Sequence, residues 1–187
     1  NLKFTKGNCY GIIGANGAGK STTMNIVTGY LASTSGTVVI DGKDVFEDPI
    51  EAKKLIGYLP EQPPLYMDMT VQEYLEFVFE LKSCTLNKKK HIDEICVITK
   101  IDSVRDRLIK NLSKGFRQRV GIAQAIMGNP KIIIFDEPTV GLDPKQIIEV
   151  RNLIRNLGKT HTVILSTHIL SEVQSVCNRI IVINNGK

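Results

Sequence analysis

Cys9-Tyr10-Gly11-Ile12-Ile13-Gly14-Ala15-Asn16-Gly17-Ala18-Gly19-Lys20-Ser21 is the stretch on which the fold turns. Cys9 to Ile13 is a short apolar run that predicts a buried strand, and the residues after Lys20 keep helix-compatible spacing up to Gly29. Between them, Gly14 to Ser21 matches the phosphate-binding pattern G-x-x-x-x-G-K-[ST], in the strand-loop-helix setting that its mechanism requires. Glycines let successive backbone N–H groups converge on phosphate oxygens, and the helix start adds the positive end of its dipole. Lys20 supplies a cation for the β- and γ-phosphates, and Ser21 offers an oxygen to Mg²⁺. The candidate nucleotide-binding residues are Gly14, Asn16, Gly17, Ala18, Gly19, Lys20, Ser21 and Thr22.

Outward from this loop, strand and helix signals alternate. Thr37 to Ile40 reads as a strand turning at Asp41-Gly42, and Ile56 to Leu59 as a strand stopped by Pro60. Thr70-Val71-Gln72-Glu73 is a capping box, so a helix should run from there to about Leu81. Ile92, Ile95 and Cys96 repeat at helical spacing. Further helices are predicted over Gly115 to Met127 and Pro144 to Leu157, with Pro144 in the first turn and Gly158 just past the end. Strands are predicted over Lys131 to Phe135 and Thr162 to Ser166. Leu2 to Phe4 also reads as a strand, and Ile180 to Ile183 as one that enters a tight turn at Asn184-Asn185-Gly186. No returning strand follows that turn, so both ends are expected to be cut inside a larger fold. The pattern is α/β: a mainly parallel sheet flanked by helices, with residues 1–66 and 116–187 as its core and 67–115 as a helical insert.

Composition bounds the chemistry. The 187 residues carry 24 Lys and Arg against 19 Asp and Glu, a formal charge of +5, and 42% are hydrophobic. A chain of that size buries a core without a staple. Its four cysteines are scattered with no C-x-x-C pair, which argues against a zinc site or a disulfide framework and fits a reducing compartment. A pI near 9.0 permits contact with nucleic acid or an acidic membrane surface, yet the excess charge is mild for this length and carries little weight. No specific nucleic-acid partner is expected. The apolar runs fall far short of the roughly 20 residues that a membrane-spanning helix needs.

Ile132 to Phe135 is followed by Asp136-Glu137, two carboxylates at the carboxyl end of a buried strand, where open parallel sheets bind ligands. One can hold Mg²⁺ and the other can activate a water. Taken alone, such a pair is more often a helix cap, Ser113 before its helix an ordinary N-cap, and His168 after its strand a surface histidine.

Together these motifs give the chain a resemblance to the ATP-binding subunit of ABC transporters. Leu112-Ser113-Lys114-Gly115-Phe116-Arg117-Gln118-Arg119 is similar to the family's signature, with Phe116 where Gln is most usual and Lys114 where Gly is common; Ser113 and Gly115 survive. The resemblance implies that Asp136 coordinates Mg²⁺, that Glu137 is the general base, that Gly141-Leu142-Asp143 is the inter-subunit aspartate loop, and that His168 in Ser166-Thr167-His168 is the switch histidine. It also implies ATP and Mg²⁺ as ligands, Lys20, Glu137 and His168 as catalytic residues, and a head-to-tail pair of ATPase subunits. Each nucleotide would lie between the phosphate loop of one subunit and Ser113 and Gly115 of the other. Membrane permease subunits would be the further partners, at the cytoplasmic face of the cell membrane.

The branch looks most like exporter-type subunits, such as those of gliding motility or drug export in bacteria. Two departures stand out. The adenine-stacking aromatic of the family is expected upstream of residue 1. The family's γ-phosphate-sensing Gln aligns by spacing with Glu61, a candidate nucleotide and metal contact, while the actual Gln is its neighbour, Gln62. A non-transport ATP switch of the same fold, acting on ribosome or DNA, is the alternative. It is opposed by the short insert between Lys20 and Ser113, where DNA-repair relatives place a long coiled coil.

Overall fold

The computed structural model describes residues 2–186. β1 (Cys9–Ile13) passes through the glycine-rich loop into α1 (Lys20–Val27). β2 (Val39–Ile40) and β3 (Lys43–Asp44) pair as a separate antiparallel hairpin. Its turn residues Asp41 and Gly42 both have positive φ, 50° and 79°, as a tight two-residue turn demands. α2 (Pro49–Lys54) and β4 (Ile56–Leu59) follow, then α3 (Val71–Leu81), α4 (Lys88–Thr99) and α5 (Lys114–Ile126). β5 (Ile132–Asp136), α6 (Pro144–Leu157), β6 (Thr162–Thr167), α7 (Leu170–Val176) and β7 (Arg179–Val182) complete the order.

Five strands make one sheet in the order β4-β5-β6-β1-β7, and every neighbouring pair is parallel. Because the strands share a direction, their carboxyl ends reach one edge together. Ile13 pairs with Thr167 and Asp136 with Ser166, so the loops after β1, β5 and β6 leave the sheet side by side. Side chains alternate between two cores. Ile133, Phe135, Val163 and Leu165 join Tyr74 and Leu75 of α3, Ile92 and Ile95 of α4, and Ile122 of α5 on one face. Ile12, Ile134 and Ile164 pack with Met24, Ile40, Val45 and Ala52 on the other. Each such side chain removed from water contributes about 1.5–3 kcal/mol, which fixes the strand register.

Local signals set the helix ends. Thr70 Oγ1 accepts from the Glu73 N–H at 3.2 Å while Glu73 Oε2 accepts from the Thr70 N–H at 2.8 Å, the reciprocal pair that the capping box predicts. At the far end of α5, Lys82 donates to the carbonyl oxygens of Gln124 and Met127, both at 3.0 Å. Burial pushes its ammonium pKa down to about 8.

Several expectations need correction. Leu2 to Phe4 lies outside any strand: Phe4 is held instead by its ring, edge-on to Tyr10 with centroids 4.7 Å apart, and the Thr5 N–H donates to the Tyr10 hydroxyl. β2 begins at Val39 rather than Thr37. α2 and α7 arise where no helix was predicted. Asn185 and Gly186 do adopt the positive φ values expected of their turn, 48° and 74°, and the Gly186 N–H donates to the Ala18 carbonyl, so the turn sits on the phosphate loop.

Candidate functional site

The phosphate loop is shaped by contacts that exclude larger residues. A side chain at Gly14 would place its first carbon 2.4 Å from the Ile183 carbonyl oxygen, and Gly19 has φ 103°, a conformation that L side chains rarely adopt. Lys20 is 6% exposed, and its ammonium donates to the carbonyls of Gly14 at 2.8 Å and Ala15 at 3.2 Å. Its charge therefore lies across the loop it closes. Ser21 and Thr22, at the start of α1, face solvent, as do Asn16 and Gly17, while Ala18 is buried.

Across the sheet edge, Asp136 ends β5 at 4% exposure, and its Oδ1 has no hydrogen-bond partner. Ser166, paired with it on β6, has an equally orphaned hydroxyl oxygen. Burial and the Asp136 charge together push the Tyr58 hydroxyl up to about 12. Orphaned buried oxygens carry a desolvation cost that a hard cation removes. Among the described residues no cluster of three or more His, Cys, Asp or Glu could hold a metal ion by itself. The orphaned oxygen of Asp136 thus fits a hard cation such as Mg²⁺ whose remaining ligands come from outside the protein.

Glu137 follows at φ 49°, a left-handed conformation that costs a non-glycine residue about 1–3 kcal/mol. Its N–H donates to the Ser166 carbonyl at 2.9 Å, which fastens the strained residue to β6. Its Oε1 lies 2.9 Å from His168 Nδ1. An ionised carboxylate only accepts, so Nδ1 carries the proton and donates, leaving Nε2 free. A ring in this arrangement needs a second proton before Nε2 can donate to a phosphate oxygen. The predicted base and switch histidine, 31 residues apart in sequence, are therefore in direct contact.

The structure does not bring the remaining candidates into this cluster. Ser113 is the N-cap of α5, its hydroxyl accepting weakly from the Phe116 N–H at 3.4 Å. Gly115 is pressed against the Gln146 side chain of α6, and the Lys114 side chain lies on Gly141. Asp143 caps α6, with Oδ1 accepting from the Gln146 N–H at 2.9 Å. Glu61 and Gln62 are both exposed in the loop after β4 and line one cleft with Pro63, Lys114, Arg117 and Val140. No sequence pattern singled out Glu172, Thr139 and Arg151: Glu172 accepts from Thr139, Arg151 and Thr167, and Thr167 reaches Glu137.

The sequence pattern of the ABC transporter family matches residues 1–140. The chain belongs to that family. As an ABC ATP-binding domain it is 38% identical to the bacitracin transport ATP-binding protein BcrA of Bacillus licheniformis, over 100% of this chain and 61% of that protein. A dimeric post-hydrolysis structure of the ATP-binding cassette MJ0796, bound to ADP and Pi, superimposes with a TM-score of 0.87 at 30% identity, covering 100% of this chain and 85% of that one. The structure of cbiO1 from Clostridium perfringens, part of the ABC transporter complex cbiONQ, gives 0.86 at 29% identity, covering 100% and 77%. The fold is that of these P-loop ATPase cassettes. The chain spans about three fifths of the length of curated relatives such as BcrA (61%) and YxlF (59%).

Proposed function

We propose that this domain binds Mg-ATP at the carboxyl edge of its sheet, hydrolyses it in a head-to-tail pair of ATPase subunits, and thereby powers export across a membrane. The observation that carries the reading is the 2.9 Å contact between Glu137 and His168, beside the orphaned oxygen of Asp136. Mg²⁺, when bound with the nucleotide, neutralises charge on the phosphates. Lys20 exchanges its two loop carbonyls for phosphate oxygens and adds a second positive charge at the transferred group. Glu137 takes the proton of the attacking water, and His168 holds the carboxylate in place beside the γ-phosphate. The work is positioning plus electrostatics.

Ser113 and Gly115, on a helix start that carries no acidic residue in its first turn, would face the phosphates of a nucleotide held by the partner subunit, with Asp143 alongside. Residues 67–115 would form the helical subdomain that meets the permease, and 1–66 with 116–187 the ATP-binding core. No helix among the described residues is long and apolar enough to cross a membrane, so in this reading the domain sits peripherally at the cytoplasmic face on permease subunits. Glu61, rather than Gln62, is taken as the loop residue facing Mg²⁺ and the γ-phosphate. As an ionised carboxylate it only accepts hydrogen bonds, so the site leans harder on the metal than one with Gln.

Steady-state phosphate release by the full-length protein tests the activity. Hydrolysis should stop with EDTA and return with added Mg²⁺; an ATPase rate indifferent to both would remove the mechanism. For the loop, Glu61→Gln should keep activity within about tenfold, whereas Glu61→Ala should uncouple hydrolysis from transport. Uncoupling by Gln62→Ala with Glu61→Ala fully coupled would move the role one residue along.

A further inference from the structure

Behind the Glu137–His168 pair lies a carboxylate that the mechanism above leaves unused. Glu172, in α7, is 1% exposed and accepts three hydrogen bonds. Thr139 Oγ1 donates to Oε1 at 2.5 Å, Thr167 Oγ1 to Oε2 at 2.9 Å, and an Arg151 guanidinium nitrogen to Oε1 at 3.3 Å. The two threonines belong to the two loops that carry the reacting groups: Thr139 lies two residues after Glu137, and Thr167 immediately precedes His168.

We propose that Glu172 is a positioning residue for hydrolysis, clamping the loop after β5 to the loop after β6 so that Glu137 and His168 meet in one fixed geometry. The proposal rests on the ATPase reading. A buried carboxylate is a poor stabiliser, because its lost hydration has to be offset by its partners. Here the ion pair is incomplete, since Arg151 bonds through one nitrogen while its buried Nε has no partner. The closest bonds go instead to the threonine hydroxyls. Thr167 adds a constraint: its oxygen accepts from the Ile169 N–H at 3.2 Å, and its single proton has two carboxylates in reach, Glu172 Oε2 at 2.9 Å and Glu137 Oε2 at 3.3 Å. Glu172 takes that proton at the shorter distance, which leaves Glu137 Oε2 free to accept from water. Without Glu172 the Thr167 hydroxyl turns to Glu137 and occupies the oxygen needed for the reaction. None of these bonds touches the phosphate loop, so the larger part of nucleotide affinity, which that loop supplies, should survive loss of the clamp.

Glu172→Gln conserves volume, but because Thr139 donates to Oε1 and Thr167 to Oε2, one threonine would face an amide NH₂ instead of an acceptor. In the full-length protein, kcat for this variant should fall about tenfold or more, with the ATP dissociation constant within about twofold of wild type, since a misplaced reacting group costs rate rather than binding. Thr139→Val and Thr167→Val should each lower kcat several-fold, and Thr139→Ser should recover it to within about twofold. Glu172→Gln combined with Thr139→Val should be no slower than Glu172→Gln alone, as members of one network are non-additive. The threonine variants decide the matter if Glu172→Gln does not fold. Lowered thermal stability with kcat unchanged across the series, or ATP affinity falling in step with kcat, would overturn the proposal. Wild type and Glu137→Gln are measured first. Equal rates there would remove the ATPase reading and the clamp with it, whereas a slow Glu137→Gln leaves the Glu172 series as a test of the clamp alone.

Discussion

Two edges of the molecule carry functional motifs, and they are built differently. At the carboxyl edge of the sheet, residues from separate loops hold one another: Glu137 contacts His168, and Lys20 closes its own loop. At the edge formed by the starts of α5 and α6, Ser113 and Asp143 only cap their own helices, and Ser113, Lys114 and Asp143 face solvent. The first cluster is assembled within one chain. The second has its polar groups engaged only locally, so they stay exposed for the partner contact proposed for them.

Substitutions at each edge should separate these roles. The largest effect is expected from Lys20→Ala, which deletes the cation of the phosphate loop and should abolish tight Mg-ATP binding; calorimetry showing near wild-type affinity would break the assignment of the sheet edge. Glu137→Gln should leave binding intact and slow hydrolysis about a hundredfold or more. The nucleotide-bound pair should then persist, and a strictly monomeric species by size-exclusion chromatography with ATP, even with the partner subunits present, would contradict the role given to the second edge.

Asp143 allows capping and partner contact to be told apart. Asp143→Asn retains a capping oxygen and should unfold in denaturant like wild type while weakening the ATP-dependent pair. Asp143→Ala should also lose about 1 kcal/mol of stability. Equal pairing by both variants and wild type would reduce Asp143 to a helix cap. The smallest effect lies away from both edges: Thr70→Ala should cost about 1 kcal/mol with ATPase activity unchanged. The Thr70 N–H, and then its hydroxyl, hold the Glu73 carboxyl below its ordinary range. The contribution of Glu73 is thus present above the unfolded carboxyl pKa and is lost as pH falls through the folded one, so an acid titration of stability should be shallower in Thr70→Ala.

What could be read from the sequence follows what is local. The phosphate loop, the Thr70 capping box, the apolar run of β5 and the Pro144 helix start each carry their cause within a few residues. α2 escaped because six residues with Ala52 as the only buried one show no apolar period. α7 escaped for a more informative reason: its inward positions include Glu172, so a buried face looked polar. Leu2 to Phe4 misled because the apolar-polar-apolar alternation of Leu2-Lys3-Phe4 resembles a strand, whereas Phe4 is held by one ring contact rather than by strand pairing. The order of Asp136, Glu137 and His168 was visible, but their contact depends on β5 and β6 being neighbours, which no local pattern encodes.

The Lys114 side chain lies on Gly141, and Gly115 is close enough to Gln146 that an added carbon would sit 2.5 Å from its side chain. The signature segment and the aspartate loop are thereby pressed together before any partner arrives. Two segments that touch in this way have less conformational freedom to lose on association than two independent loops. In the proposed pair, a second subunit would meet the two segments as one surface rather than as two separate loops.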